Sequence, residues 1–243
     1  MSKITFDNYG KKAEQLDSYL EIASRHSMMD ESEKLIIPDV IMKLALQPYD
    51  RILDIGCGAG NLLIPLSFFA KEITGIDHSS CIELLRTRIR KSQNILLLSG
   101  NFLDIVDKNN YDKILCYSVL QYLADEKEVF IFIKKALESL VPGGRALFAD
   151  IPNTSKKERF LKSNYGKKVD SEYQSLLKDV QKSKEGVNLT EKDEDLVQFD
   201  DDLVLRILKE TRGNGYHSYV LDQSTNLCLG HTREDILIVN PED

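Results

Sequence analysis

Long apolar runs, paired cysteines, internal repeats and an excess of positive charge are all missing from these 243 residues. Each absence removes a class of function. No apolar run approaches the roughly 18 residues that a membrane-crossing helix needs, so no membrane partner is expected. The first stretch, "MSKITFDNYGKKAEQ", lacks the apolar centre of a secretion signal. Cys57, Cys81, Cys116 and Cys228 are widely spaced and form no CxxC pair, which argues against zinc or any other metal site and for reduced thiols in a cytoplasmic protein. Acidic residues outnumber basic ones 39 to 32, for a formal charge of −7. A protein that grips nucleic acid presents a basic surface, so a polynucleotide partner is not expected. No Gly-Lys-Ser or Gly-Lys-Thr follows the glycine-rich stretch, which excludes a Walker-type phosphate loop.

What is there suits one globular domain spanning 1–243. Hydrophobic residues make up 42% of the chain, enough for a sizeable core. Residues 11–47 have helical character: Leu16, Tyr19, Leu20 and Ala23 recur at helical spacing, as do Val40, Ile41, Leu44 and Ala45. Pro38 suits the start of the second helix, and 1–48 reads as an N-terminal helical cover. Short apolar runs then alternate with helical stretches. The runs are "RILDI" (51–55), "EITGID" (72–77), "NILLLS" (94–99), "DKILCYS" (112–118) and "RALFADI" (145–151), with "NLLIPLSFFA", "SCIELLRTRIRK" and "DEKEVFIFIKKALESL" between them. Apolar strands joined by helical crossovers predict a parallel sheet buried on both faces. Pro65 breaks the helix rule unless it lies close to a helix start. Phe68, Phe69, Phe130 and Phe132 read as core. After Pro152 a basic run (155–168) and an acidic run (191–202) mark a polar segment, 155–212, with the character of a helical cap or lid. "YHSYVLD" (216–222) and "EDILIVN" (234–240) supply two closing strands.

The chemistry concentrates in "RILDIGCGAGNLLIPLSFFAKEITGIDHS" (51–79). Glycines between a strand and a helix let backbone N–H groups and Cα atoms approach a ligand closely. The order Gly56-Cys57-Gly58-Ala59-Gly60 places Asn61 where a dinucleotide fingerprint needs glycine or alanine, and Asp54 would sit beside a pyrophosphate. A carboxylate there suits a cationic group. Asp77, at the end of the second strand, can accept from both hydroxyls of a ribose. A ligand with an amino-acid-like positive end, a ribose and no phosphate between them matches S-adenosylmethionine. Taken alone, Asp77 could instead cap the helix that begins "SSCIELL".

At these residues the sequence resembles the class I S-adenosylmethionine-dependent methyltransferases that act on small molecules. "ILDIGCGAGN" is similar to their first motif, "TGIDHS" to the acidic second-strand motif and "LLSGNFLDI" to the adenine loop. "YDKILCYSVLQYL" is similar to the fourth-strand motif and "LVPGGRALFADIPN" to the turn into the fifth strand; the five run in order through 50–153. The resemblance implies an α/β fold: a doubly wound Rossmann-like sheet of seven strands with the last pair antiparallel, N-terminal helices, and a helical insertion after the fifth strand. It also implies that Gly56, Cys57, Gly58 and Gly60 shape a loop under the methionine part, that Asp54 holds its ammonium, and that Asp77 holds the ribose. His78 takes a place often apolar against adenine. Asn101 stands where the family usually has Asp at the adenine amino group, and Phe102 would offer its backbone N–H to the ring. Cys116 and Tyr117 would lie under the cofactor.

Methyl transfer needs alignment and exclusion of water more than a fixed catalytic group, so no motif names a catalytic residue. An amine need only arrive deprotonated, whereas a hydroxyl gains from a general base. Tyr122, His217 and His231 are the candidates for such a base. Tyr9, Tyr19, Gln121 and Tyr122 are candidates for acceptor contact, and Arg233 in "GHTRED" for an anionic acceptor. The tetrapeptide of base-directed amino methyltransferases is absent after the fourth strand, where the chain reads "CYSVLQYL". The expected activity is methyl transfer to an O or N atom of a small molecule. The alternatives are a non-catalytic cofactor-binding partner protein and an NAD(P)-dependent oxidoreductase.

Overall fold

The structure is a computed structural model that describes residues 6–7, 10–11, 13–14, 30–89, 94–107, 109–183, 196–227 and 229–242. Tyr9, Tyr19 and Cys228 lie outside the described residues. In chain order the elements from Asp30 onward are α1 (Asp30–Glu33), α2 (Ile36–Leu44), β1 (Arg51–Ile55), α3 (Leu63–Leu66), β2 (Glu72–Asp77), α4 (Ser79–Arg88), β3 (Ile95–Ser99) and β4 (Tyr111–Tyr117). A short 3-10 turn (Leu120–Tyr122), α5 (Glu126–Leu137), β5 (Leu140–Pro152), α6 (Thr154–Lys162), α7 (Asn164–Ser183), α8 (Asp201–Gly213), β6 (His217–Asp222) and β7 (Arg233–Val239) complete them.

The seven strands form one sheet in the order β3-β2-β1-β4-β5-β7-β6. β1 to β5 pair in parallel, and β7 runs antiparallel to both β5 and β6. This is the doubly wound arrangement with a terminal antiparallel pair. Its winding reverses between β1 and β4, which opens a crevice at their carboxyl ends.

Strand alternation divides the core. Leu53, Ile114, Phe148 and Ile236 face one way, against Phe132 and Ile133 of α5 and Leu203 and Ile207 of α8. Ile52, Leu115, Leu147 and Leu237 face the other way, against Val40 and Leu44 of α2, Leu63 of α3 and Leu85 of α4. Because both faces are covered, the central strands are apolar along their whole length. Side chains set the helix starts: Asp125 accepts from Glu128 N–H at 2.8 Å, Asn153 from Lys156 N–H at 3.0 Å and Asp200 from Leu203 N–H at 2.8 Å.

Two expectations are corrected here. The helix expected over "NLLIPLSFFA" shrinks to the single turn of α3, with Pro65 in its first turn where a missing N–H costs little. Phe68 and Phe69 fall beyond that turn and are exposed, whereas Phe132 is buried and Phe130 packs against the core. α8 lies inside the bounds read as a cap, yet Leu203, Val204 and Ile207 bury it in the main core. Within 155–212, therefore, only α6, α7 and the residues up to the start of α8 can form a cap.

A buried ion pair joins the two ends of the fold. Lys43 Nζ of α2 lies 2.6 Å from Asp235 Oδ2 of β7 and 2.6 Å from Asp39. The other Asp235 oxygen accepts the Asp150 N–H at 2.9 Å. Removing one member of such a pair strands a buried charge, at a cost of about 3–5 kcal/mol. Urea unfolding of Lys43→Met should show a loss of that size, and Lys43→Met with Asp235→Asn should recover most of it.

Candidate active site

The loop after β1 is pinned at its start. Gly56 and Cys57 both donate N–H to Ile76 O of β2, at 2.8 and 3.2 Å. Gly58 donates to Asp77 Oδ2 at 2.7 Å, and His78 N–H donates to Asp77 Oδ1 at 2.6 Å. Gly58 has φ +54°, and a Cβ there would project into open space, so its backbone is bare toward a ligand. Gly60 has φ +86° for a different reason: a Cβ there would collide with Leu85 Cδ1, so α4 can approach only over glycine. Arg88, at the end of α4, clamps the far side of the loop by donating to Ala59 O and to Asn61 Oδ1.

These elements wall a cleft at the β1/β4 reversal. Asp54, Gly56, Cys57, Gly58 and Asp77 form its floor and one side, and Tyr117, Ser118, Val119 and Tyr122 the side at the end of β4. Phe6, Glu33 and Ile36 close it from the N-terminal segment. Asp54 is only 2% exposed, and its Oδ2 has no hydrogen-bond partner among the described residues. Burial pushes its carboxyl up to about 8, and the nearby Asp77 charge adds to the shift. Burial also raises Asp77, partly offset by the N–H groups of Gly58 and His78. The strand ends thus bring two carboxylates to the cleft, one of them with an oxygen unpartnered among the described residues, a set of acceptors suited to a cationic, hydroxyl-bearing ligand.

Other expected residues stand elsewhere. Gly60 faces α4 rather than the cleft. His78, not Asp77, caps α4: its Nδ1 accepts from Ser80 N–H at 3.2 Å. Its ring meets Phe6 edge-on at 4.9 Å and lies against Gly10, so it does not line the cleft. Cys116 points to the opposite face, among the α5 and α8 core residues, because it is out of phase with Tyr117 on β4. Asn101 turns its Oδ1 back to Leu103 N–H at 3.1 Å, and Phe102 is buried edge-on against Phe132. Neither lines the cleft.

The base and acceptor candidates scatter as well. His217 is exposed at the start of edge strand β6, paired with Val239 at the far end of the sheet. His231 stacks on Phe160 of α6 at 4.5 Å and meets Tyr165 of α7 edge-on. Arg233 faces Asp150, 3.9 Å from its Oδ1. Tyr122 lines the cleft, and Gln121 lies buried behind it. Sequence reasoning missed Glu33, Ser118 and Cys81 in the lining. For Ser118 the available signal was its place directly after the fourth strand; Glu33 carried none.

Asp54 also makes a stability statement. A carboxyl whose folded value lies above its ordinary 3.8 stabilises the fold at low pH and loses that contribution as pH rises through about 8. Without ligand, the melting temperature should therefore decline between about pH 4 and pH 8. Differential scanning calorimetry of Asp54→Asn should show a flatter profile and a higher melting temperature at pH 8.

Known proteins carry the same arrangement. Residues 52–144 match the methyltransferase domain family model. A ubiquinone biosynthesis O-methyltransferase of Chelativorans sp. (strain BNC1) is 33% identical over 123 residues, 46% of this chain and 45% of that protein. The chain spans less than half the length of the curated relatives it matches here. Among solved structures, the N-methyltransferase NodS from Bradyrhizobium japonicum WM9 in complex with S-adenosyl-L-homocysteine has a TM-score of 0.64 at 16% identity, covering 98% of this chain and 99% of that one. Magnesium protoporphyrin IX methyltransferase from Synechocystis PCC 6803, also with S-adenosyl-L-homocysteine bound, has a TM-score of 0.59 at 15% identity, covering 98% and 95%. Residues 52–144 thus match a methyltransferase domain, and the chain shares the fold of these S-adenosyl-L-homocysteine-bound methyltransferases.

Proposed function

We propose that the protein transfers a methyl group from S-adenosylmethionine to an O or N atom of a small-molecule acceptor. The observation that carries this reading is the unpartnered Asp54 Oδ2, buried at the end of β1 beside a bare glycine loop. An ammonium gives that oxygen its missing partner. Asp54 would hold the ammonium and Asp77 the ribose hydroxyls, beside the bonds it already accepts from Gly58 N–H, His78 N–H and the Cys81 thiol. Gly56, Cys57 and Gly58 would run beneath the methionine part, with Tyr117 across the cleft.

When bound, S-adenosylmethionine would supply a methyl carbon activated by its sulfonium, with a neutral thioether as the leaving group. The chain's part is to align and to exclude water. Phe6 and Ile36 close one side of the cleft with apolar surface, and Tyr122 bounds the side toward an acceptor. The NodS likeness is to an N-methyltransferase and the Chelativorans likeness to an O-methyltransferase, so both acceptor atoms belong to the reading.

Because the ammonium binds ionised Asp54, cofactor binding should release a proton near neutral pH, and affinity should rise from pH 6 to pH 8. Calorimetry with S-adenosyl-L-homocysteine in buffers of different ionisation enthalpy measures both. Asp54→Asn should abolish the proton release. Asp77→Ala should weaken binding at least about tenfold, since each bond to the carboxylate contributes roughly 1.5–3 kcal/mol. Unchanged affinity in both variants would refute the assignment.

The segment of α6 and α7 is proposed as the acceptor-side cover. α6 is anchored rather than loose: Asn153 Nδ2 reaches Asp201 and Glu234, Lys156 reaches Asp222, and Arg159 pairs with Asp201. The chain then returns to the cleft's β4 wall, where Val197 N–H donates to Gln121 O at 2.9 Å. Replacing 164–195 with a short linker should leave S-adenosyl-L-homocysteine affinity intact and abolish transfer to the natural acceptor. Full activity in the shortened protein would reduce the segment to a solvated insertion.

A further inference from the structure

Gln121 is 2% exposed, its Nε2 donates to Ser118 Oγ at 3.1 Å, and its Oε1 has no partner among the described residues. Flipping the amide leaves the balance the same: one of its polar atoms meets the serine and the other meets nothing. Ser118 itself lines the cleft directly after β4, with φ +60°. A non-glycine residue in that region is uncommon and persists only where its surroundings hold it. Here Ser118 N–H donates to Ala149 O of β5 at 2.9 Å, and the 3-10 turn that follows folds Gln121 back behind it.

Resting on the methyltransferase reading, we infer that Ser118, backed by Gln121, receives the hydrogen of the acceptor's nucleophilic N–H or O–H and so sets that atom's approach. A serine hydroxyl has one donor and two acceptor positions. Gln121 takes one acceptor position and fixes the oxygen, which leaves the second lone pair for the incoming acceptor. Ser118 stands on the β4 side of the crevice, across from the Asp54 and Asp77 side that suits the cofactor's ammonium and ribose. The class this pair selects is an amine or hydroxyl that still carries a hydrogen; a tertiary amine has none to offer. Gln121 is a positioning residue, since it acts through the serine. Its buried oxygen is a standing cost to the fold that an apolar side chain of similar shape would not carry, and the acceptor-aligning serine is the reason to keep it.

The test uses the full chain with deuteromethyl-labelled S-adenosylmethionine and a small-metabolite extract, labelled products being read by mass spectrometry. S-adenosyl-L-homocysteine affinity and melting temperature are measured beside it. Gln121→Met should melt no lower than the parent protein and keep its S-adenosyl-L-homocysteine affinity within about twofold, while labelled product forms about tenfold more slowly, the effect of one lost hydrogen bond near 1.4 kcal/mol. Ser118→Gly, which permits the same φ, should lose activity in the same way. Ser118→Asn, which tolerates positive φ and keeps a polar atom, should recover part of it. Lower melting in Gln121→Met would make the pair merely structural, and a parallel fall in S-adenosyl-L-homocysteine affinity would assign it to the cofactor. Unchanged turnover would overturn it outright. No labelled product from the parent protein would instead remove the methyltransferase reading, and this inference with it.

Discussion

A carboxylate without a counter-charge, buried at the end of the central strand, is the constraint on which the site depends. Asp54 sits at 2% exposure with one oxygen unpartnered among the described residues, and Asp77 ends the neighbouring strand of the same sheet. Two such groups resist simultaneous ionisation in a poorly solvated cleft. The fold tolerates this because the glycine loop is fastened at other points, to Ile76 O at its start and to Arg88 at its end. The loop is thus held in part by Asp77, through Gly58 and His78, and in part at points independent of Asp54.

The contrast with Asp235 separates a structural carboxylate from a binding one. Asp235 is equally buried, but Lys43, the Asp150 N–H and Gln223 Nε2 surround it. Its partners are supplied from within the chain, and the result ties α2 to β5 and β7. Among the described residues, no such cation is paired with Asp54. Depth of burial alone would rank the two alike; the difference lies in what faces them.

How much of this was legible beforehand follows from which signal each element depends on. β1 and β2 occupy the stretches read from sequence, 51–55 and 72–77, because continuous apolar character is forced on strands buried on both faces. α3 was overextended because Pro65 and the two phenylalanines after it look like core until the helix is seen to stop at Leu66. α8 was assigned to the insertion because its acidic start hides an amphipathic pattern whose apolar face meets the sheet. Asp54, Asp77, Gly56 and Gly58 were singled out by their spacing and stand in the cleft lining, whereas Glu33 had no such signal. The phase of the β4 pleat was not readable, and it turns Tyr117 toward the cleft and Cys116 away. The place of Ser118 after the fourth strand was readable, but its backbone conformation and the side chain behind it depend on contacts with β5 and the turn after it.

The order β5-β7-β6 has a structural consequence. The last strand in the chain is not the last in the sheet: β7 enters between two strands that precede it, and β6 pairs with nothing else in the sheet. Without β7, the edge of β5 would be open and β6 would have no partner among the described strands. Such edges invite pairing with other chains. Completing the sheet also brings Asp235 to Lys43, 192 residues away in sequence. Placing this one strand therefore closes the β5 edge, completes the β6 ladder and brings the buried ion pair together at once.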